Sequence, residues 1–149
     1  MNISRALVTG GNGFIGGNLC RHLRARSLPV RALVLPGEDT AFLQSLGVEV
    51  VRGDITADLP ADIFADVSHV FHLAAIALDW GPWQLFWKVN ALGTHRLLEA
   101  AIAAGVPRFV HMSSLAVHAY NGHINSDENA PADSTINHYA VSKRLAEEC

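Results

Sequence analysis

Charge is scarce in this sequence, and so is cysteine. Of 149 residues only 17% are Asp, Glu, Lys or Arg, and the formal net charge is −3. No basic stripe is available to meet a run of phosphates, which argues against a nucleic-acid surface. The one basic cluster, Arg21, His22, Arg24 and Arg26, reads as the solvated face of a helix. Cys20 and Cys149 lie far apart and form neither a CxxC pair nor a Cys/His ligand spacing. A disulfide framework or cysteine metal site is therefore not expected, and a reduced, cytoplasmic setting is the simple reading. The opening MNISRALVTGG has too short an apolar run for a signal peptide, and no later stretch approaches a membrane span. Internal repeats and low-complexity tracts are lacking as well.

Apolar residues, by contrast, make up 50% of the chain, enough for one well-buried domain over residues 1–149. Short β-branched runs alternate with helical patterns. ALVTG reads as a buried strand and FIGGNLCRHLRARS as a helix; VRALVL is a second strand, closed by Pro36-Gly37. TAFLQSLG is a short helix with Gly47 as its C-terminal cap. VEVVRGD and HVFHLAA are strands three and four, with His72, like His111 in strand five, read as a packed strand residue and not a metal ligand. The stretch from Pro82 to Gly105 predicts one long helix, RFVHMSS a fifth strand, and the segment from about Asn137 onward a last helix. This alternation implies a Rossmann-type, doubly wound parallel sheet with helices on both faces and ligands outside the carboxyl ends of its strands.

Two stretches carry chemistry. VTGGNGFIGG sets Gly10, Gly13 and Gly16 at a strand–turn–helix junction. There Gly10 permits a tight turn, Gly13 a close approach of backbone to a diphosphate, and Gly16 packing of the helix against the strand. The helix N-terminus then offers free N–H groups and a positive dipole end to the anion. The spacing is GxxGxxG and no GK[ST] follows, which argues against a P-loop NTPase. Near the other end, HYAVSK puts Tyr139 and Lys143 one turn apart on one helix face. A phenol ionises near pH 10, so at neutral pH it needs a neighbouring cation to act as a base.

TGGNGFIG, GDIT, HLAA, VNALGT, MSS and YAVSK occur in this order from about residue 5 to the last residue. Together they resemble the extended short-chain dehydrogenase/reductase family of NAD(P)-dependent epimerases, dehydratases and reductases. Around DWGPWQLFWKVNALGT the likeness is greatest to its sterol and 3β-hydroxysteroid dehydrogenase-like branch and to nucleotide-sugar epimerases. The resemblance implies that Gly10, Gly13, Phe14, Ile15 and Gly16 hold the cofactor diphosphate. Asp54 and Ile55 would flank the adenine, although Asp54 also reads as an ordinary N-terminal helix acid. Ala74 and Ala75 would line the cofactor, and Asn90 would help order the site. Ser114, Tyr139 and Lys143 would form a Ser–Tyr–Lys triad, with Ser114 rather than Ser113 orienting the substrate oxygen and Lys143 also holding the nicotinamide ribose. Asp79, Trp80 and Trp83 read equally as pocket wall or as packing, and His118 as a loop residue without a partner.

The cofactor expectation is NAD or NADP with a lean to NAD. Val34 and Leu35 stand where relatives carry the NAD-selecting Asp and the NADP-selecting Arg, while Glu38 and Asp39 just beyond would repel a 2′-phosphate. Arg31 reads as a sheet residue. The expected activity is hydride transfer at a secondary alcohol or ketone, on a nucleotide sugar or a sterol-like small molecule, with a homodimer possible. A non-catalytic dinucleotide sensor, or a fragment that only binds cofactor, is the alternative. In the family the substrate pocket follows the tyrosine helix, so the chain reads as the N-terminal portion of a longer protein, with weakened dinucleotide binding and no turnover of its own.

Overall fold

In the computed structural model, which describes residues 3–119 and 124–149, five strands run parallel in the order β3-β2-β1-β4-β5. They are β1 (Ala6–Thr9), β2 (Val30–Val34), β3 (Glu49–Arg52), β4 (His69–His72) and β5 (Arg108–His111). The registers Ala6↔Val30, Ala6↔His69, Arg31↔Glu49 and His69↔Arg108 align the carboxyl ends along one edge of the sheet. Chain order proceeds outward from β1 in one direction to β3 and then in the other to β5. With right-handed crossovers, that reversal puts the connecting helices on opposite faces and makes the β1/β4 junction the switch point. β1 and β2 are buried along their whole length, as central strands of a parallel sheet are, whereas the edge strands β3 and β5 hold no fully buried residue.

The helices are α1 (Phe14–Ala25), α2 (Ala41–Ser45), α3 (Trp83–Phe86), α4 (Gly93–Ala103) and α5 (His138–Glu147). The chain divides into two compact units. The first, residues 1–74 and 96–112, contains the whole sheet together with α1, α2 and most of α4. Its core on one sheet face joins Ala6, Val8, Val30, Ala32 and Val34 to Cys20 and Leu23 of α1 and to Leu43 of α2. Burial pushes the Cys20 thiol up to about 11, so it behaves as a small core hydrophobe. The second unit, residues 75–95 and 113–149, contains α3, the start of α4, a 3-10 turn at Leu115–Val117 and α5.

Four local readings change. All five strands end one to three residues earlier than their sequence runs suggest, because those residues leave the ladder to form the loops at the carboxyl edge. Arg24 is not on a solvated face: its guanidinium donates to the carbonyls of Leu46 and Leu28 and ties α1 to the loops beside it. Arg31 is only 4% exposed. It pairs with Glu49 at 2.8 Å and donates to the carbonyls of Asp62 and Ile63, fastening the β3–β4 connection to the sheet. Last, the long helix expected from Pro82 to Gly105 is not continuous. Between α3 and α4 it widens into a π turn at Trp87–Leu92, where the Gly93 N–H reaches back to the Lys88 carbonyl. Asn90, buried, lies inside this turn.

Candidate functional site

In the first unit the chain leaves β1 through Gly10, whose φ of +64° is the left-handed conformation that only glycine adopts freely. A Cβ on Gly10 would stand 2.9 Å from the Ala74 N, so the turn lies directly against the loop after β4. Gly13 is the N-cap of α1 with no side-chain cap, and no acid sits in the first turn. The N–H groups of Phe14, Ile15 and Gly16 therefore start the helix without intrahelical partners. A Cβ on Gly16 would collide with the Gly10 carbonyl and come within 2.9 Å of Gly11 Cα. Gly16 thus lets α1 pack against its own entry turn, a closer neighbour than the strand assigned to it from the sequence. The Phe14 and Ile15 side chains are exposed, which leaves the backbone as the anion-facing surface. These observations fit a diphosphate cradle: a bare backbone concavity at a positive helix end.

Sequence reasoning missed the residues that hold this cradle. Thr9 and His72, both buried, end β1 and β4. The Thr9 hydroxyl oxygen accepts from the N–H groups of Leu73 and Ala74, both at 3.2 Å, and lies 2.7 Å from His72 Nδ1. With two donors on its oxygen, the hydroxyl spends its own hydrogen on Nδ1, which fixes the His72 ring as the Nε2–H tautomer. One hydroxyl thereby clips together the two loops flanking the switch point. We predict that Thr9→Val, nearly isosteric, lowers stability by about 1–3 kcal/mol because two part-buried N–H groups lose their acceptor. Urea unfolding followed by circular dichroism checks this.

Farther along the same edge, Asp54 Oδ1 accepts from the Thr56 N–H at 2.8 Å, an Asx turn. Among the described residues no helix lies between β3 and β4, so the plain reading of Asp54 as a helix N-terminal acid gives way to a turn residue, and its second carboxylate oxygen lies outside that bond. The Ile55 side chain is only 5% exposed and faces the protein interior, so an adenine there would meet its backbone and not its side chain.

In the second unit α5 opens at Asn137, whose side chain accepts from the Ala140 N–H at 2.8 Å. Its buried stripe is Ala140, Ser142, Lys143 and Ala146, with Tyr139 half-buried at the same end. Lys143 is 2% exposed, and burial lowers its pKa from 10.5 to about 8, partly offset by Glu147. At pH 7 the ammonium form still predominates, so a cation stands one turn from the phenol. Ser114 caps the 3-10 turn by accepting from the Ala116 N–H at 3.2 Å, which leaves its hydroxyl hydrogen to donate elsewhere. Ser113 Oγ is buried with no hydrogen-bond partner among the described residues.

Asn90 organises this unit. Its Oδ1 accepts from the Ile76 N–H at 2.8 Å, and its Nδ2 donates to the Ile76 carbonyl and to Ser142 Oγ, both at 2.9 Å. Ser142 in turn donates to the Tyr139 carbonyl at 2.8 Å. Both amide hydrogens are spent on protein atoms, so Asn90 orders the loop after β4 and the start of α5 and has none left for a ligand. Thr94 Oγ1 donates to the Asn90 carbonyl at 2.6 Å, satisfying an acceptor that the π turn displaces. His118 does have a partner, the Pro131 carbonyl at 3.0 Å. Trp80 is 86% exposed, whereas Trp83 packs edge-on to His138, whose Nδ1 bonds the Gly81 carbonyl at 2.9 Å. Of the two tryptophans, only Trp83 has a packing role. Ala75 is exposed on the loop that Asn90 holds.

A parallel sheet with its switch point at a glycine turn and a bare helix N-terminus defines a Rossmann-type dinucleotide fold. The chain belongs to the NAD dependent epimerase/dehydratase family, whose model matches residues 6–149. It is 38% identical over 125 residues to sterol demethylase protein B of Methylococcus capsulatus, covering 83% of this chain and 38% of that protein. It is 36% identical to a 3 beta-hydroxysteroid dehydrogenase/Delta 5-->4-isomerase of Mycobacterium tuberculosis, covering 97% and 41%. The structure of MoeE5 in complex with UDP-glucuronic acid and NAD superposes with a TM-score of 0.82 at 34% identity, covering 97% of this chain and 47% of that one. The chain spans less than half the length of each of these relatives. Among the described residues no helix is long and apolar enough to cross a membrane.

Proposed function

We propose that this chain is the NAD(P)-binding portion of an enzyme that moves a hydride at a secondary alcohol or ketone. In this reading Gly10, Gly13, Phe14, Ile15, Gly16, Asp54, Ile55 and Ala74 receive the dinucleotide, and Ser114, Tyr139 and Lys143 handle the substrate proton. The observation that carries the catalytic part is Lys143, a cation buried to 2% exposure one turn from a half-buried tyrosine on a capped helix. An ordinary solvent-facing Tyr/Lys pair has no reason to bear that desolvation. NAD bound to MoeE5 and the 36% identity to a hydroxysteroid dehydrogenase support the cofactor and the reaction class.

Bound nicotinamide supplies the hydride acceptor in oxidation and the hydride donor in reduction. The protein's part is the proton. In the oxidative direction the Tyr139 phenolate takes the hydroxyl proton as the carbon–hydrogen bond breaks, and the alcohol becomes a ketone; reduction returns that proton. Lys143 keeps the phenolate accessible by holding positive charge beside it. Ser114 donates its free hydroxyl hydrogen to the substrate oxygen and so points it at Tyr139. These roles are common to a dehydrogenase, which performs one half-reaction, and to an epimerase, which oxidises and re-reduces the same carbon. Both a nucleotide sugar and a sterol-like alcohol present the hydroxyl they require.

The test is Tyr139→Phe. In the longer enzyme of which this chain is proposed to be a portion, removing the phenol oxygen is expected to cut turnover of its alcohol or ketone substrate by at least 10³-fold, while the dissociation constant for the dinucleotide stays within about twofold. Calorimetric titration and a steady-state assay at 340 nm supply the two numbers. Turnover that survives the substitution sinks the triad assignment.

A further inference from the structure

Neither residue that ordinarily selects between NAD and NADP is present at the end of β2, where Val34 and Leu35 stand instead. The fold supplies an acid there by another route. Leu35, Pro36, Gly37 and Glu38 form a turn in which Gly37 has φ +86° and the Glu38 N–H reaches the Leu35 carbonyl at 3.4 Å. Proline followed by a left-handed glycine is the type II arrangement, and it returns the fourth residue to the side of the first. Glu38, four positions past the strand in sequence, therefore stands beside its end in space. Its Oε2 accepts from the Leu35 N–H at 3.2 Å.

The neighbouring strand holds this turn in place. Arg52 is paired in register with Val34, and its Nη1 donates to the carbonyls of Leu35 and Glu38 at 3.3 and 3.2 Å. Arg52 Nη1 is thus engaged with the turn's backbone. The adjacent acid is tied to a different element: Asp39 Oδ1 accepts from the Ala41 N–H at 2.9 Å at the start of α2. Glu38 Oε1 has no hydrogen-bond partner among the described residues. It stands at the carboxyl end of β2, the strand next to the one that feeds the Gly10–Gly16 turn, with Thr9 and Leu33 paired across them.

We propose that Glu38 is the ribose acceptor of the dinucleotide site and the residue that selects NAD over NADP. This rests on the dinucleotide reading given above. Its carboxylate accepts from the adenosine 2′-hydroxyl of NAD and repels the 2′-phosphate of NADP. Pro36-Gly37 is the device that brings it back to the strand end.

The experiment measures dissociation constants of this chain for NAD and for NADP, separately, by titration calorimetry. Glu38→Gln keeps an oxygen that can accept from the Leu35 N–H, so the turn survives while the charge is lost. The wild type is expected to prefer NAD by about tenfold or more, and E38Q to shrink that ratio at least fivefold by weakening NAD and strengthening NADP. Asp39→Asn, which removes an equal charge one residue away, is expected to leave the ratio within twofold. A merely structural Glu38 would change both affinities together and leave the ratio alone. A ratio unmoved by E38Q, or moved as far by D39N, overturns the assignment while leaving the dinucleotide reading in place. If neither cofactor binds the wild-type chain, both readings fall.

Discussion

Gly16→Ala is expected to lower the stability of the chain by about 3 kcal/mol and to cut dinucleotide affinity at least a hundredfold. The helix position itself favours alanine, since glycine in a helix interior costs roughly 1 kcal/mol relative to alanine. That gain is overwhelmed here. The new Cβ would collide with the Gly10 carbonyl oxygen and lie 2.9 Å from both the Gly10 carbonyl carbon and Gly11 Cα, all of them backbone atoms that no side-chain rotation can move aside. The first turn of α1 must swing away from the β1 turn, and with it go the free N–H groups proposed to receive the diphosphate. Gly13→Ala separates the two effects. Gly13 sits at φ −74°, ψ 169°, which any residue adopts, and its Cβ would meet only the Gly10 carbonyl oxygen, at 3.3 Å. That variant is expected to fold with stability within about 0.5 kcal/mol of the wild type, yet to bind dinucleotide more weakly because a methyl group projects from the cradle. Thermal unfolding and calorimetric titration of the two variants, side by side, check the pair. Equal losses of stability at both positions would show that the turn does not have the geometry described.

What was legible in the sequence follows from how local its cause is. Each of the five strands is a short run centred on apolar residues, Val above all, and each run is visible without knowing its neighbours. The left-handed glycines after α2 and α4, Gly47 and Gly105, mark helix ends for equally local reasons. Asn90 is different. Inside the helical period it is one polar residue among apolar ones, and nothing nearby signals that its side chain bonds Ile76, 14 residues back, and Ser142, 52 residues on. Those bonds hold Asn90 within the π turn, and they exist only once the chain is folded. The Thr9–His72 contact spans 63 residues and is invisible for the same reason. Glu38 lies between these cases: Pro36-Gly37 announces a turn, but the direction in which the turn sends the fourth residue follows from its type, which the dipeptide only suggests.

Lys143 carries the last prediction, because its burial costs the fold something that its chemistry needs. Folding lowers its pKa from 10.5 to about 8, so between these values the unfolded chain holds a proton that the folded chain has released. Stability must therefore rise with pH across that window, at up to about 1.4 kcal/mol per pH unit from this group, and the full penalty is present below pH 8. Replacing Lys143 by methionine keeps the length and apolar stem of the side chain and removes the charge. At pH 7 K143M is expected to be more stable than the wild type by about 1–2 kcal/mol, after allowing for the lost attraction to Glu147. The difference between the two proteins should shrink toward zero as pH rises from 8 to 10.5, and subtracting one curve from the other cancels every other group that titrates there. Urea unfolding of both proteins at half-unit pH steps gives the comparison. A wild type that is the more stable of the two at pH 7, or a difference independent of pH, would mean that the ammonium is fully compensated where it sits. A gain in stability coupled to the loss of proton transfer is what a group held for its chemistry should show, since the desolvation that destabilises the fold also keeps the cation beside the phenol and out of water.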